Sequence, residues 1–137
     1  MFSKKTSDPQ NHIDSLIGAG TRIEGNVHFS GGLRVDGQVC GNIIATGDKS
    51  STLVLSEQAA VEGKIEVSHA VVNGAVTGAI VATEYVELQP KARVVGDIHY
   101  KSMEIQLGAS IDGMLHHHDA DQAQNKVIPL IPASQSE

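Results

Sequence analysis

The stretch Val86-Glu87-Leu88-Gln89-Pro90-Lys91-Ala92-Arg93-Val94-Val95-Gly96-Asp97-Ile98 decides how this chain folds. Val86 and Leu88 form an apolar pair, three variable residues follow, and then Ala92, Val94, Gly96 and Ile98 alternate strictly with their neighbours. Such alternation marks a strand with one buried face, because successive strand side chains point to opposite sides. No stripe at 3.6-residue spacing survives across the glycines, so these segments are not helices.

The same pattern recurs on both sides of this stretch. Upstream it reads Leu53, Leu55, Ala59, Val61, Gly63, Ile65 and Val67; downstream it reads Met103, Ile105, Ala109, Ile111, Gly113 and Leu115. An N-terminal copy reads Ile17, Thr21, Ile23, Gly25, Val27 and Phe29. A version with a shorter corner occurs twice: Val35, Gly37, Val39, Gly41, Ile43 and Ala45 match Val72, Gly74, Val76, Gly78, Ile80 and Ala82 position for position. The last glycine of each copy (Gly25, Gly41, Gly63, Gly78, Gly96, Gly113) is separated from the next by 16, 22, 15, 18 and 17 residues. Only the gap of 22 is out of line, and it contains the polar run Thr46-Gly47-Asp48-Lys49-Ser50-Ser51-Thr52, read as a loop inserted at one corner.

A repeat of about 17 to 18 residues built from short strands is one turn of a solenoid with three faces. The expectation is an all-β, single-domain parallel β-helix of about six coils, roughly 29 Å tall at about 4.8 Å per coil. Equivalent side chains should stack into interior ladders, with Ile23, Val61, Val94 and Ile111 on one line. Glycines recur where the chain bends or where two backbones come too close for a Cβ. Outward positions are largely polar, as at Arg34, Asp36, Gln38, Asn42, Glu62, Lys64, Glu66, Asp97 and His99. The fourth coil carries Val71, Ala75, Ala79 and Val81 outside, read either as ordinary surface or as a lateral contact.

Composition agrees with a narrow, regular core. Apolar residues make up 40% of the 137, but with two Phe, two Tyr and no Trp the core has to be aliphatic. A net charge of −6 argues against nucleic acid as a partner, since phosphates demand clustered Lys and Arg. The lone Cys40 has no disulfide partner within the chain, which fits a reducing compartment. No apolar run approaches the roughly 20 residues that span a bilayer, and the start lacks the apolar stretch of a secretory signal. A cytoplasmic location is expected. Residues 1–14, which contain Pro9, read as a flexible arm, 15–116 as the β-helix, and 117–137 as a flexible, Pro-containing tail. In that tail Val127-Ile128-Pro129-Leu130-Ile131-Pro132 is extended, read as a disordered end or as a docking segment.

A parallel β-helix exposes unpaired backbone and an open core at its first and last coils unless something caps them. No amphipathic capping helix is readable at either end. Bare ends of a flat apolar stack are templates for another copy, and the residues assigned to that contact are Leu16, Ile17, Ile23 and Val27 at one end and Ile105, Leu107, Ile111, Met114 and Leu115 at the other.

The patterns Val-x-Gly-x-Val-x-Gly-x-Ile-x-Ala (Val35 to Ala45, Val72 to Ala82) and Leu-x3-Ala-x-Val-x-Gly-x-Ile resemble the bactofilins over residues 15–116. The resemblance implies a right-handed β-helix with short disordered tails and no cofactor. It further implies nucleotide-independent polymerisation with molecules meeting head to head and tail to tail, and a scaffold role in cell shape, polar organisation or the positioning of cell-wall enzymes. Some bactofilins bind the cytoplasmic face of the inner membrane through a short N-terminal motif. Met1, Phe2, Lys4 and Lys5 match it, with Phe2 suited to the interface and each lysine worth about 1 kcal/mol on anionic headgroups. A solvated terminus is the other reading of these residues.

Chemistry is sparsely represented. His28 and His99 share an outer face but stand four coils apart, about 19 Å, too far for one metal. His69 is off that line, and His116-His117-His118, followed by Asp119 and Asp121, is read as at most an adventitious metal binder without structural role. Gly63-Lys64 is the only Gly-Lys pair, with Gln58 and Ile65 where a P-loop needs glycine and Ser or Thr. No Gly-x-Ser-x-Gly elbow occurs. Cys40 alternates with Val39 and Gly41 and so lies outside. The competing class is a left-handed β-helix enzyme, a trimeric acyltransferase or carbonic-anhydrase-like protein, which needs an unbroken hexapeptide frame. Steps of six from Ile23 reach Phe29 and Val35 and then Gly41 and Gly47; from Val86 they reach Ala92 and Ile98 and then Glu104. The frame does not hold, and the reading is a non-enzymatic scaffold.

Overall fold

The structure is a computed structural model that describes residues 13–47 and 49–118. The chain winds through six coils of three short strands each. The first holds β1 (Ser15–Ile17), β2 (Arg22–Glu24) and β3 (Val27–Phe29), and the second β4 (Gly32–Val35), β5 (Gln38–Cys40) and β6 (Ile43–Ala45). β7 (Thr52–Leu55), β8 (Ala60–Glu62) and the start of β9 (Ile65–Val72) make the third; the rest of β9, β10 (Ala75–Thr77) and the start of β11 (Ile80–Leu88) make the fourth. The end of β11, β12 (Arg93–Val95) and β13 (Ile98–Tyr100) make the fifth, and β14 (Ser102–Ile105), β15 (Ser110–Asp112) and β16 (Leu115–His117) the sixth.

Every pairing between coils is parallel. One face is a six-stranded sheet in the order β15-β12-β10-β8-β5-β2, and the other two faces form one ten-stranded sheet because β9 and β11 run around the corner between them. At that corner β11 carries one residue more than β9, and the register shifts between Ala82 and Tyr85. The fold is thus the all-β solenoid of about six parallel coils that the repeat demanded.

Register places equivalent residues in interior columns. Ile23, Val39, Val61, Val76, Val94 and Ile111 stack on the first face. Ile17, Val35, Leu55, Val72, Leu88 and Ile105 stack on the second, and Val27, Ile43, Ile65, Ile80, Ile98 and Leu115 on the third. In the four inner coils these side chains are fully buried. Burying each Ile, Leu or Val stabilises the stack by about 1.5–3 kcal/mol. The alternate residues face outward, polar ones such as Arg34 and Glu66 together with apolar ones such as Ile44 and Val95. The two-residue period of the sequence thus becomes the inside and outside of a tube.

The two lengths of repeat correspond to two corners. In coils one, three, five and six a β-turn closes with the N–H of Thr21, Ala59, Ala92 or Ala109 donating to the carbonyl of Gly18, Ser56, Gln89 or Gln106. Coils two and four cut this corner at Gly37 and Gly74. A Cβ on Gly74 would overlap the carbonyl oxygen of Ser56 and lie 2.6 Å from that of Ala59, so only glycine fits beneath the longer turn. At the opposite corner Gly41, Gly63, Gly78 and Gly96 stand in a column. Gly78 has φ +144°, and its Cβ would strike the carbonyl of Gly63.

Of the inserted polar run, residues 46, 47 and 49–51 lie outside the strands, but Thr52 belongs to β7. It is held there because its N–H donates to the Gly31 carbonyl at 2.9 Å and its residue is 2% exposed. Ser51, also buried, accepts the N–H of Ser68 at 2.9 Å and ties the loop back to the third coil. The histidines at the end of the repeat also differ from the sequence reading. His116 and His117 lie in β16, and the N–H of His118 donates to the Tyr100 carbonyl at 2.6 Å. These residues have a structural role because the backbone pairs with the coil before it whatever the polarity of the side chains it carries.

Gly78→Ala is expected to lower stability by about 3 kcal/mol or more, adding backbone strain to a steric overlap. Gly25→Ala, with φ +130° but open space around its Cβ, should cost only the backbone component, about 1–2 kcal/mol. Urea denaturation of the two variants compares them; equal losses would show that the close approach of coils is not what selects glycine.

Candidate assembly interface

Among the described residues the end coils repeat the interior columns without a neighbour on one side. Leu88, one coil in, is fully buried, whereas Ile105 below it is 48% exposed; Ile98 is fully buried, whereas Leu115 is 44% exposed. Ile111 and Met103 complete this C-terminal surface and are half-buried. At the other end Ile23 and Val27 are half-buried, and Ile17 and Phe29 are each 8% exposed. The C-terminal end is therefore the more open of the two.

Among the nine residues assigned from sequence, six point along the interior columns: Ile17, Ile23, Val27, Ile105, Ile111 and Leu115. Leu16, Leu107 and Met114 do not. Leu16 pairs with Arg34 in an outward column. Leu107 occupies the turn of the last corner at 95% exposed. Met114 follows Gly113 at the opposite corner, where its N–H donates to Asp97 Oδ1 at 3.0 Å. Met103 is the residue that the assignment omitted. It continues the column Leu33, Leu53, Ala70 and Val86, so the first member of each apolar pair was the available signal. Met1, Phe2, Lys4 and Lys5 lie outside the described residues, as do the extended apolar segment near the C terminus and most of both tails.

The backbone lattice is likewise interrupted at each end. The N–H groups of Gly25, Gly41, Gly63, Gly78 and Gly96 donate to Cys40, Glu62, Thr77, Val95 and Asp112 one coil on. In the last coil the equivalent Gly113 N–H faces off the end, and in the first the Glu24 carbonyl does. Other groups donate in the opposite direction: the N–H groups of Asp36, Ser56, Asn73, Gln89 and Gln106 donate to Ile17, Val35, Leu55, Val72 and Leu88 one coil back. By the same register the Gly18 N–H and the Ile105 carbonyl face outward. Each end thus presents at least one donor and one acceptor beside an apolar core.

Side chains secure the last coil to the fifth. Tyr85 donates its hydroxyl to Glu104 at 3.1 Å, and Gln106 donates to Glu87 at 3.0 Å. Burial first, then the hydrogen bond and charge of Glu104 and Glu87, push the Tyr85 hydroxyl up to about 12. Asp97 holds the Met114 N–H and approaches His116 Nε2 at 3.3 Å. These bonds keep its carboxyl below the usual carboxylate range. Burial, followed by His116 and His118, holds His99 below the ordinary histidine range.

Catalytic machinery has little footing. Among the described residues no group of three or more His, Cys, Asp or Glu is placed to hold a metal, and no helix is long and apolar enough to cross a membrane. A cleft of about 220 Å³ under the inserted loop is lined by Thr46, Lys49, Ser51, Glu66, Ser68 and Thr83 among others. It sets one lysine and one carboxylate among hydroxyls, without a histidine to activate any of them.

An aliphatic parallel β-helix whose two end coils are left uncovered among the described residues fits a solenoid that polymerises. Residues 15–116 match the family described as Bactofilin, polymer-forming cytoskeletal, and the chain belongs to the bactofilin family. Two relatives are from Myxococcus xanthus. Bactofilin BacP is 33% identical over 87% of this chain and 48% of its own length; bactofilin BacO is 34% identical over 82% of this chain and 83% of its own. The chain thus spans about half of BacP and most of BacO. The fold is also that of a Thermus thermophilus bactofilin solved as double helical filaments, with a TM-score of 0.65 and 24% identity over 74% of this chain and 98% of the other.

The raised pKa of Tyr85 predicts an alkaline weakening of the last coil. The neutral hydroxyl is favoured in the fold, so its contribution is complete below the ordinary tyrosine value near 10. It is lost as pH rises through about 12. Tyr85→Phe should remove this step, which amide exchange in β14 measures against pH; an unchanged profile would detach Tyr85 from the last coil's stability.

Proposed function

We propose that this protein is a cytoskeletal scaffold that polymerises end to end, without nucleotide, through its first and last coils. One observation carries the proposal: side chains that are fully buried in every inner coil stand 44–48% exposed at Leu115 and Ile105. A second copy stacked there would bury them and continue the hydrogen-bonded lattice. Because each end offers both donor and acceptor, an end is complementary to another copy of itself as well as to the opposite end. This supports head-to-head and tail-to-tail joints, which give a filament without polarity. Family membership supports the same role.

The scaffold acts in the cytoplasm of a bacterium, on the inner face of the membrane, where it organises cell shape, polar components or cell-wall enzymes. Met1, Phe2, Lys4 and Lys5 supply its membrane contact. One copy binds weakly, but a filament presents many, and avidity multiplies the effect.

Ile111→Arg or Leu115→Arg puts a charge into a contact that excludes water, where an unpaired ion is strongly destabilising. Each is expected to convert polymer to discrete species on size-exclusion chromatography and to abolish filaments under the electron microscope, with the circular dichroism of the inner coils kept. A variant that still elutes as polymer would show that the C-terminal coil is not the joint. For the membrane, wild-type filaments should pellet with anionic liposomes and a protein lacking residues 1–5 should not; equal pelleting would remove that segment from the contact.

A further inference from the structure

The outer column on the third face ends in an arrangement that filament formation does not require. It reads His28, Ile44, Glu66, Val81, His99 and His116 along successive coils. At its end three imidazoles meet. His99 stacks on His116 with ring centres 4.4 Å apart and planes 10° apart, and His118 lies 5.1 Å away on a plane 11° off. His99 Nδ1 and His118 Nε2 are 2.9 Å apart. A hydrogen bond between two imidazole nitrogens requires one to carry a proton and the other to lack it. Which of the two nitrogens carries the proton depends on the tautomers of the rings, and His99 is held below the ordinary histidine range.

This contact sits at the least supported part of the fold. β16 has three residues, pairs with a coil on one side only, and contributes Leu115 to the open end. Its far end is held by the His118 N–H on Tyr100 and by the imidazole contact. Elements with so few partners open at the lowest free energy.

We propose that the imidazole column is a pH-sensitive latch on the last strand: neutral, it clamps residues 116–118 against β13, and charged, it releases them. With His99 and His118 both protonated, both facing nitrogens carry hydrogens and the bond is lost. His116, stacked on His99, further disfavours a proton on that ring. The surrounding charges do not cancel this. Among the described residues Asp97 is the carboxylate beside the three imidazoles, at His116; farther along the column Glu66 is paired with Lys64 at 3.0 Å, and Lys64 opposes protonation of His99. On the inner side His117 directs Nε2 to the Lys101 carbonyl and faces Tyr100, while Lys101 is near Glu84.

The sign follows from His99. Its folded pKa is depressed, so the unfolded chain binds the proton more readily, and the clamp is complete above the ordinary histidine value near 6.5. It weakens as pH falls from there through the depressed value. Asp97 acts in a different window, since its carboxylate is lost only below the usual carboxylate range. For assembly, the latch deepens the end-to-end reading and rests on it: mild acid would loosen the Leu115 side of the C-terminal joint and shorten filaments.

Amide exchange by NMR on the full chain carrying Ile111→Arg reads the latch without polymer. Between about pH 7.5 and about pH 5.5, protection of the His118 N–H, corrected for intrinsic exchange, should fall roughly tenfold or more while that of β10 is unchanged. His99→Asn retains an acceptor near the Nδ1 position without titrating and should remove the step, and a ring-proton titration of His99 in the parent should coincide with it. An unchanged His118 N–H, an equal step in His99→Asn, or a loss confined to the range where Asp97 titrates would overturn the proposal. Sedimentation of the full chain without Ile111→Arg then separates the two readings. Reversible shortening in acid that His99→Asn abolishes supports the latch acting on the joint. Absence of polymer at every pH, with the exchange step intact, supports the latch and rejects the end-to-end scaffold instead.

Discussion

Every feature of this structure depends on coils stacked at the spacing of a hydrogen-bonded sheet, about 4.8 Å. At that separation each backbone N–H and C=O finds its partner in a neighbouring coil, and each interior side chain lies on an equivalent one. The distance also leaves no room for a Cβ where the corner carbonyls of one coil meet the corner of the next. Glycine recurs at Gly41, Gly63, Gly78 and Gly96 for that reason, and the shortened corners require it at Gly37 and Gly74. Aliphatic side chains fill the inner coils, and the buried aromatic ring, Phe29, belongs to the first coil.

The same constraint makes the ends reactive. An inner coil satisfies its backbone on both sides; a terminal coil satisfies one. The cost of an unpaired edge beside an open apolar core is removed most directly by another copy, whose end has the same period and the same chemistry. Assembly in this reading is not a site added to a finished fold. It is the continuation of the fold beyond one molecule, which explains why no nucleotide-binding or catalytic constellation accompanies it among the described residues.

Outer positions are released from this geometric control, and there the coils differ from one another. The insertion between β6 and β7 falls at a corner and leaves the pairing of β7 undisturbed. Tyr85, Glu87, Glu104 and Gln106 build a polar strap across the last two coils. His99, His116 and His118 build another on the third face. Both straps hold the terminal coil, which has the fewest neighbours to hold it otherwise.

By itself the sequence determined the solenoid, the number of coils, the inward residues and the position of the one insertion, because each of these is a period or a break in a period. Ile23, Val61, Val94 and Ile111 were legible as one interior line for that reason. Orientation at the corners was not legible: Leu107 and Met114 are apolar and terminal yet point outward, because a turn residue has no fixed alternation from which to read its side. The role of His116 to His118 was hidden for a related cause, since a polar run at the end of a repeat looks the same whether or not its backbone pairs. Only the tertiary structure decided these points. It sets side chains 17 to 19 residues apart in direct contact, and a one-dimensional pattern records their spacing but not which face of the tube they share.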